Sequence, residues 1–129
     1  MWAWLRTRRA REPKLHELQH DICVRFGATC QPADPASKLG IATQTSGQQP
    51  LNALRHPPKD GTCGWYIWWG DTLNDDPDFF QPLHVAHLPE RCHAMLPYLA
   101  LPPGWRAQVA PGHEDVWFDA DLLRFESAR

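Results

Sequence analysis

Hydrophobic residues fall along this chain in runs of different period, and each run predicts an element. Over residues 13–26, Leu15, Leu18, Ile22 and Phe26 recur at helical spacing on one stripe, with Gly27 just beyond as a C-terminal cap. Over residues 61–71, GTCGWYIWWGD, the period drops to two, Trp65, Ile67 and Trp69 alternating with Tyr66 and Trp68. Aromatic and β-branched residues at that period fit a pleated strand, and both of its faces are apolar, so both are expected to be covered. Gly61, Gly64 and Gly70 bracket the run and supply the turn into it and the exit from it.

After this central strand, residues 79–85 (FFQPLHV) re-enter the core as an extended segment. Pro89 then opens a second helix over 89–99, with Leu88, Cys92, Met95, Leu96 and Leu99 as its buried side, and Pro97 kinks or ends it. Two last strands are predicted at 105–110 and 115–118, joined by a hairpin-type turn at 111–114. Residues 31–58, rich in Pro, Ser, Thr, Gln and Gly, read as a long irregular connection holding one short strand in SKLGIAT. Within it, LNALRHPP is anchored by Leu51 and Leu54, and Arg55 is expected to pair with an acidic residue of the second half rather than to bind a carboxylate or phosphate ligand. The pattern predicts an α+β fold: one domain over 13–129, a mainly antiparallel twisted sheet centred on residues 64–70, and two packed helices.

Charge divides the chain. Residues 1–60 carry nine Lys or Arg against five Asp or Glu, and residues 61–129 carry four against ten. Arg6, Arg8, Arg9 and Arg11 make residues 1–12 a basic arm, read as a solvated terminus because no basic surface stands behind it. The same asymmetry argues against a nucleic-acid platform on the aromatic strand, which needs a basic groove around it. The opening run is apolar and then basic, the reverse of a secretory signal, and no stretch approaches a membrane span, so the expectation is a cytoplasmic protein without a membrane partner. Cys23, Cys30, Cys63 and Cys92 lack the dense spacing of a disulfide framework and read as reduced thiols, at least partly buried.

Five segments carry candidate chemistry. His16-Glu17-Leu18-Gln19-His20 matches H-E-x-x-H, in which two histidines grip zinc and the glutamate activates its water. The third ligand is missing, and both histidines project away from the apolar stripe, so the reading is an exposed helical face and no metal. A thiol hydrolase using Cys63 is the other enzymatic alternative, weighed against inert packing. His84, His87, Cys92 and His93 have no zinc-finger spacing, and the acidic loop lacks the EF-hand register. That loop gathers Asp71, Asp75, Asp76 and Asp78, which read either as a solvated acidic turn or as a partner-facing acidic patch with Trp68 or Phe79 as its apolar anchor. Glu114, Asp115, Asp119 and Asp121 form a second acidic group.

The blocks LNALRHPP, GTCGWYIWWGD, DDPDFFQPLHVAHL, YLALPPGWR and EDVWFDADLL, in that order over residues 40–123, resemble the immunity-protein-thirty-three-like family of bacterial polymorphic-toxin systems. The resemblance leaves HELQH outside it. It implies a cytoplasmic antitoxin that binds and blocks a cognate toxin without turnover, with no cofactor and no catalytic residues.

Overall fold

The computed structural model describes residues 14–124. The basic arm expected over residues 1–12 therefore lies outside the described residues. The fold is α+β: six strands in one sheet, with short helices around it. In chain order they are α1 (Leu15–Phe26), β1 (Lys38–Ile41), β2 (Leu51–Arg55), β3 (Thr62–Trp69), β4 (Gln81–His84), α2 (Leu88–Arg91), β5 (Trp105–Ala110) and β6 (His113–Phe118). The sheet order is β4-β1-β3-β2-β5-β6, antiparallel except where β1 runs parallel to β3.

The aromatic strand β3 lies inside the sheet, and its period of two sorts its residues between the faces. Trp65 and Ile67 are fully buried on the first face with Leu39, Ile41, Ala53 and Ala107, beneath Leu88, Met95 and Leu101. The Trp65 indole donates to Leu99 O at 3.0 Å, which satisfies its only polar atom. Tyr66 and Trp68 face the other way, into a smaller cluster with Ala42, Leu54, Phe79, Phe80 and Leu122. Gly64 bends the strand: its φ is +98°, and a Cβ there would stand 1.8 Å from His56 O, so no side chain fits. Gly40 opens room in the same way for the Tyr66 ring, whose nearest atom would lie 2.7 Å from a Cβ.

Residues 51–55, expected to be an anchored loop, form β2 instead, hydrogen-bonded between β3 and β5 with all five residues buried. Leu, Asn, Ala and Arg carry little intrinsic strand preference, and the neighbours on both sides supply the pairing. Arg55, expected to meet a carboxylate, is 2% exposed and donates to backbone carbonyls. Its Nε reaches Cys63 O at 3.0 Å, and its Nη1 reaches Gln31 O at 2.6 Å and Leu101 O at 2.8 Å. It ties the segments at Gln31 and Leu101 to strand β3 on the first face. Burial lowers its pKa from the ordinary value, while Cys63 acts in the opposite direction.

The first helix also turns a different side inward. Leu15 and Leu18 are 42% and 36% exposed, and the inward side is Gln19, Ile22, Cys23 and Phe26. The rotation is set by polar contacts, since Gln19 Nε2 donates to Leu96 O at 2.9 Å and Cys23 Sγ to Ala100 O at 3.6 Å. The helix predicted over 89–99 is divided: one α-turn, a break at Cys92 (φ −156°, ψ 74°), then a 3-10 turn over His93–Tyr98. Pro97 lacks the N–H that an α-helix would bond to the His93 carbonyl, so a continuous helix does not form. The last two strands form as expected, with β6 beginning two residues earlier, at His113.

Candidate functional site

The two faces of the sheet are covered unequally. On the first, α1 and residues 88–101 close over the core. On the second, the 71–80 loop packs Phe79 and Phe80 over the β3 side, and the turn Ala120–Arg124 brings Leu122 down onto it. Between that loop and the β5–β6 hairpin a groove of about 280 Å³ remains, lined by Asn52, Trp68, Asp71, Leu73, Arg106, Gln108 and Trp117.

The floor of the groove is a line of amides crossing the strands. The His113 ring and Gln108 Oε1 meet at 3.0 Å, Gln108 Nε2 donates to Asn52 Oδ1 at 3.1 Å, and Asn52 Nδ2 donates to Gly70 O at 2.8 Å. Each polar group is satisfied by the next, so the floor is rigid before anything binds. At one wall the Arg106 guanidinium stacks over Trp117, 5.5 Å from the ring centre, and bonds Asp119 at 3.0 Å. That places an aromatic surface and a neutralised arginine beside the acidic loop.

The predicted acidic residues Asp71, Asp75, Asp76 and Asp78 are all exposed. Asp71 lines the groove, and Asp75, Asp76 and Asp78 lie further along the same exposed loop, outside the groove's lining. The loop is shaped by its own side chains: Asn74 Oδ1 accepts from Asp76 N at 2.7 Å, and Asp76 Oδ1 accepts from Asp78 N at 2.9 Å. None of the four pairs with a cation among the described residues. The second acidic group differs. Glu114 bonds Tyr98 and Arg25 on the first face, Asp119 bonds Arg106, and Asp121 bonds Arg124. Of the two aromatic residues expected as anchors, Phe79 is 7% exposed and Trp68 is 5% exposed. Both belong to the interior, Trp68 keeping only an edge on the groove, and the exposed apolar surface beside the loop is that of Leu73 and Trp117.

His16 and His20 point to solvent, and Glu17, the residue that would activate a zinc-bound water, accepts from Lys14 N at 3.0 Å as part of the helix N-terminal cap. Among the described residues no three His, Cys, Asp or Glu side chains stand together as a metal site. Cys63 is 4% exposed within the main core, where a nucleophile would have no access to a substrate. His84 and His87 face each other at 6.2 Å between ring centres on the surface, and Cys92 is buried, its thiol pushed up to about 11 by burial. No described helix is long and apolar enough to cross a membrane.

Asn52, Arg106, Gln108 and Trp117 were not anticipated as site residues. The signal for two of them is present in the sequence. In WRAQVA, Arg106 and Gln108 alternate with Ala107 and Val109, and polar residues alternating with apolar ones mark a sheet face left open, whereas Trp117 sits in an unbroken apolar run and carries no such mark. Asn52 gave no such signal because its segment read as a loop.

Against known families, the profile of the Imm33-like domain matches residues 18–119. The match reaches further toward the N-terminus than the resemblance visible in the motifs, taking in most of α1. Comparison with curated proteins and with solved structures gives no match.

Proposed function

The chain belongs to the Imm33-like family, and from that premise we propose that it is an immunity protein, a non-enzymatic binding protein that occupies a cognate bacterial toxin in the cytoplasm and blocks it. The second face of the sheet is the binding surface of this reading. One observation carries the choice: Asp71, Asp75, Asp76 and Asp78 have no cationic partner among the described residues, whereas three of the four residues in the other acidic group are paired within the fold. Unpaired carboxylates on the loop beside the groove steer a basic partner toward it, and Trp117 and Leu73 supply apolar surface for it to settle on. A toxin whose own cleft is basic, built for phosphates or an acidic substrate, matches that loop in charge.

The test begins with the tagged full-length chain purified from its native cell. The expected result is one co-purifying protein in stoichiometric complex, whose expression alone arrests growth and whose co-expression with this chain restores it. A partner whose toxicity persists in the complex would refute the immunity reading. Elemental analysis of the chain purified without chelator checks the zinc alternative. About one zinc per chain, lost in a His16→Ala, His20→Ala double variant, would favour a peptidase instead.

A further inference from the structure

The Cys23 and Cys30 sulfurs stand 2.6 Å apart, inside van der Waals contact, which is about 3.5–4.0 Å even between carbon atoms. The backbone brings them there. Gly27, in the left-handed region at φ 76°, reverses the chain at the end of α1, and Ala28 N bonds Cys23 O at 2.8 Å. Gln31 N then bonds Ala100 O at 2.7 Å and fixes the chain beyond Cys30. Each thiol also lies against a carbonyl, Cys23 against Ala100 and Cys30 against Gln19. All four cysteines are free thiols in this structure, and Cys63 and Cys92 are both buried.

We propose that Cys23 and Cys30 form an oxidative modification site, a dithiol that closes to an intramolecular disulfide when the cell's peroxide or low-molecular-weight disulfide level rises. Cys30 is half-buried and Cys23 is 2% exposed, so a small oxidant meets Cys30 first. With hydrogen peroxide, Cys30 Sγ attacks one oxygen, the O–O bond breaks, hydroxide leaves and takes up the thiol proton as water, and Cys30 becomes a sulfenic acid. Cys23 Sγ then attacks the Cys30 sulfur, the S–O bond breaks, and a second water leaves with the Cys23 proton. The pair has lost two electrons, and the peroxide has gained them. Burial, helped by Cys30, pushes the Cys23 thiol up to about 12, so Cys23 stays protonated and is not the sulfur that attacks the oxidant.

The bond would staple the end of α1 to the segment that delivers the Gln31 carbonyl to Arg55, so oxidation tightens the first face. It lies apart from the groove residues of the second face.

The experiment uses the reduced, desalted full-length chain with a small excess of hydrogen peroxide. The intact mass should fall by about 2 Da, two of the four cysteines should resist alkylation under denaturing conditions, and the melting temperature should rise by roughly 5 °C. Trypsin cuts after Arg25, between the two cysteines, so the bond should appear as peptide 15–25 joined to peptide 26–38 and separated by reductant. Four alkylated cysteines after peroxide would overturn the proposal. So would oxygen retained on Cys30 with Cys23 still free, or a bond that joins two chains or involves Cys63 or Cys92.

Discussion

Trp65 and Trp117 are the same kind of residue on opposite faces of one sheet. Trp65 is fully buried, its indole N–H bonded to a carbonyl of the covering segment. Trp117 remains partly exposed on a groove wall, with Arg106 stacked against it. The first face is closed by α1, which precedes the sheet in sequence, and by residues 88–101, and its polar atoms, Arg55 above all, are spent on holding that cover down. On the second face the polar atoms are spent on one another, in the line from His113 through Gln108 to Asn52, and beside the covering loop a groove stays open among the described residues. Stability therefore resides on the first face, while the second is free to carry recognition.

Substitutions that respect this division should separate the two roles. The largest loss of stability is expected from Trp65→Ala, about 3–5 kcal/mol by denaturant unfolding, because it empties the core and leaves the Leu99 carbonyl with one donor fewer. A folded variant with a nearly unchanged melting temperature would break the comparison at its strongest point. Arg55→Met should come next, at roughly 2–4 kcal/mol, since three carbonyls lose their donor inside the protein. Limited proteolysis should then show cleavage rising around residues 31 and 101.

Glu114→Gln should cost about 1 kcal/mol, and its signature is in the pH dependence. The bond from Tyr98 is the main cause holding the Glu114 carboxyl below its ordinary pKa, with Arg25 adding to it and burial opposing. The unfolded chain therefore binds the more protons just below the ordinary carboxylate range, and this contribution is present above about pH 5 and lost as the pH falls toward the lowered native value. The variant should lack that acid-side slope. Tyr98, pushed up first by burial and then by Glu114, gives the opposite arm: its contribution holds below about pH 10 and is lost as the pH rises. The smallest effect on stability, within about 0.5 kcal/mol, is expected for Asp75→Asn, Asp76→Asn and Asp78→Asn together. That same triple variant should slow association with the toxin about tenfold at low salt and flatten the salt dependence. Unchanged association at low salt would remove the loop from the interface.

Much of the first face was legible in the sequence, because its signals are local and strong. The alternation of Trp65, Tyr66, Ile67, Trp68 and Trp69 identifies a strand whatever surrounds it, and Gly27 marks the end of α1 at its observed place. What failed depended on distant partners. LNALR became a strand only because β3 and β5 flank it, and Leu15 and Leu18 face out because Gln19 and Cys23 found carbonyls 77 residues away. The acidic loop was visible as composition, but the groove beside it required knowing that Asn52, Gln108 and Trp117 meet across three strands, and their separation in the sequence conceals that.

The central claim, that the toxin sits on the second face, is tested most directly by hydroxyl-radical footprinting of the purified complex against the free chain. Oxidation of Trp117 and Leu73 should fall several-fold on binding, while Leu15 and Val24, exposed on α1, should be labelled equally in both states. Protection of Leu15 and Val24 with Trp117 and Leu73 unchanged would contradict the account and place the toxin on the helix.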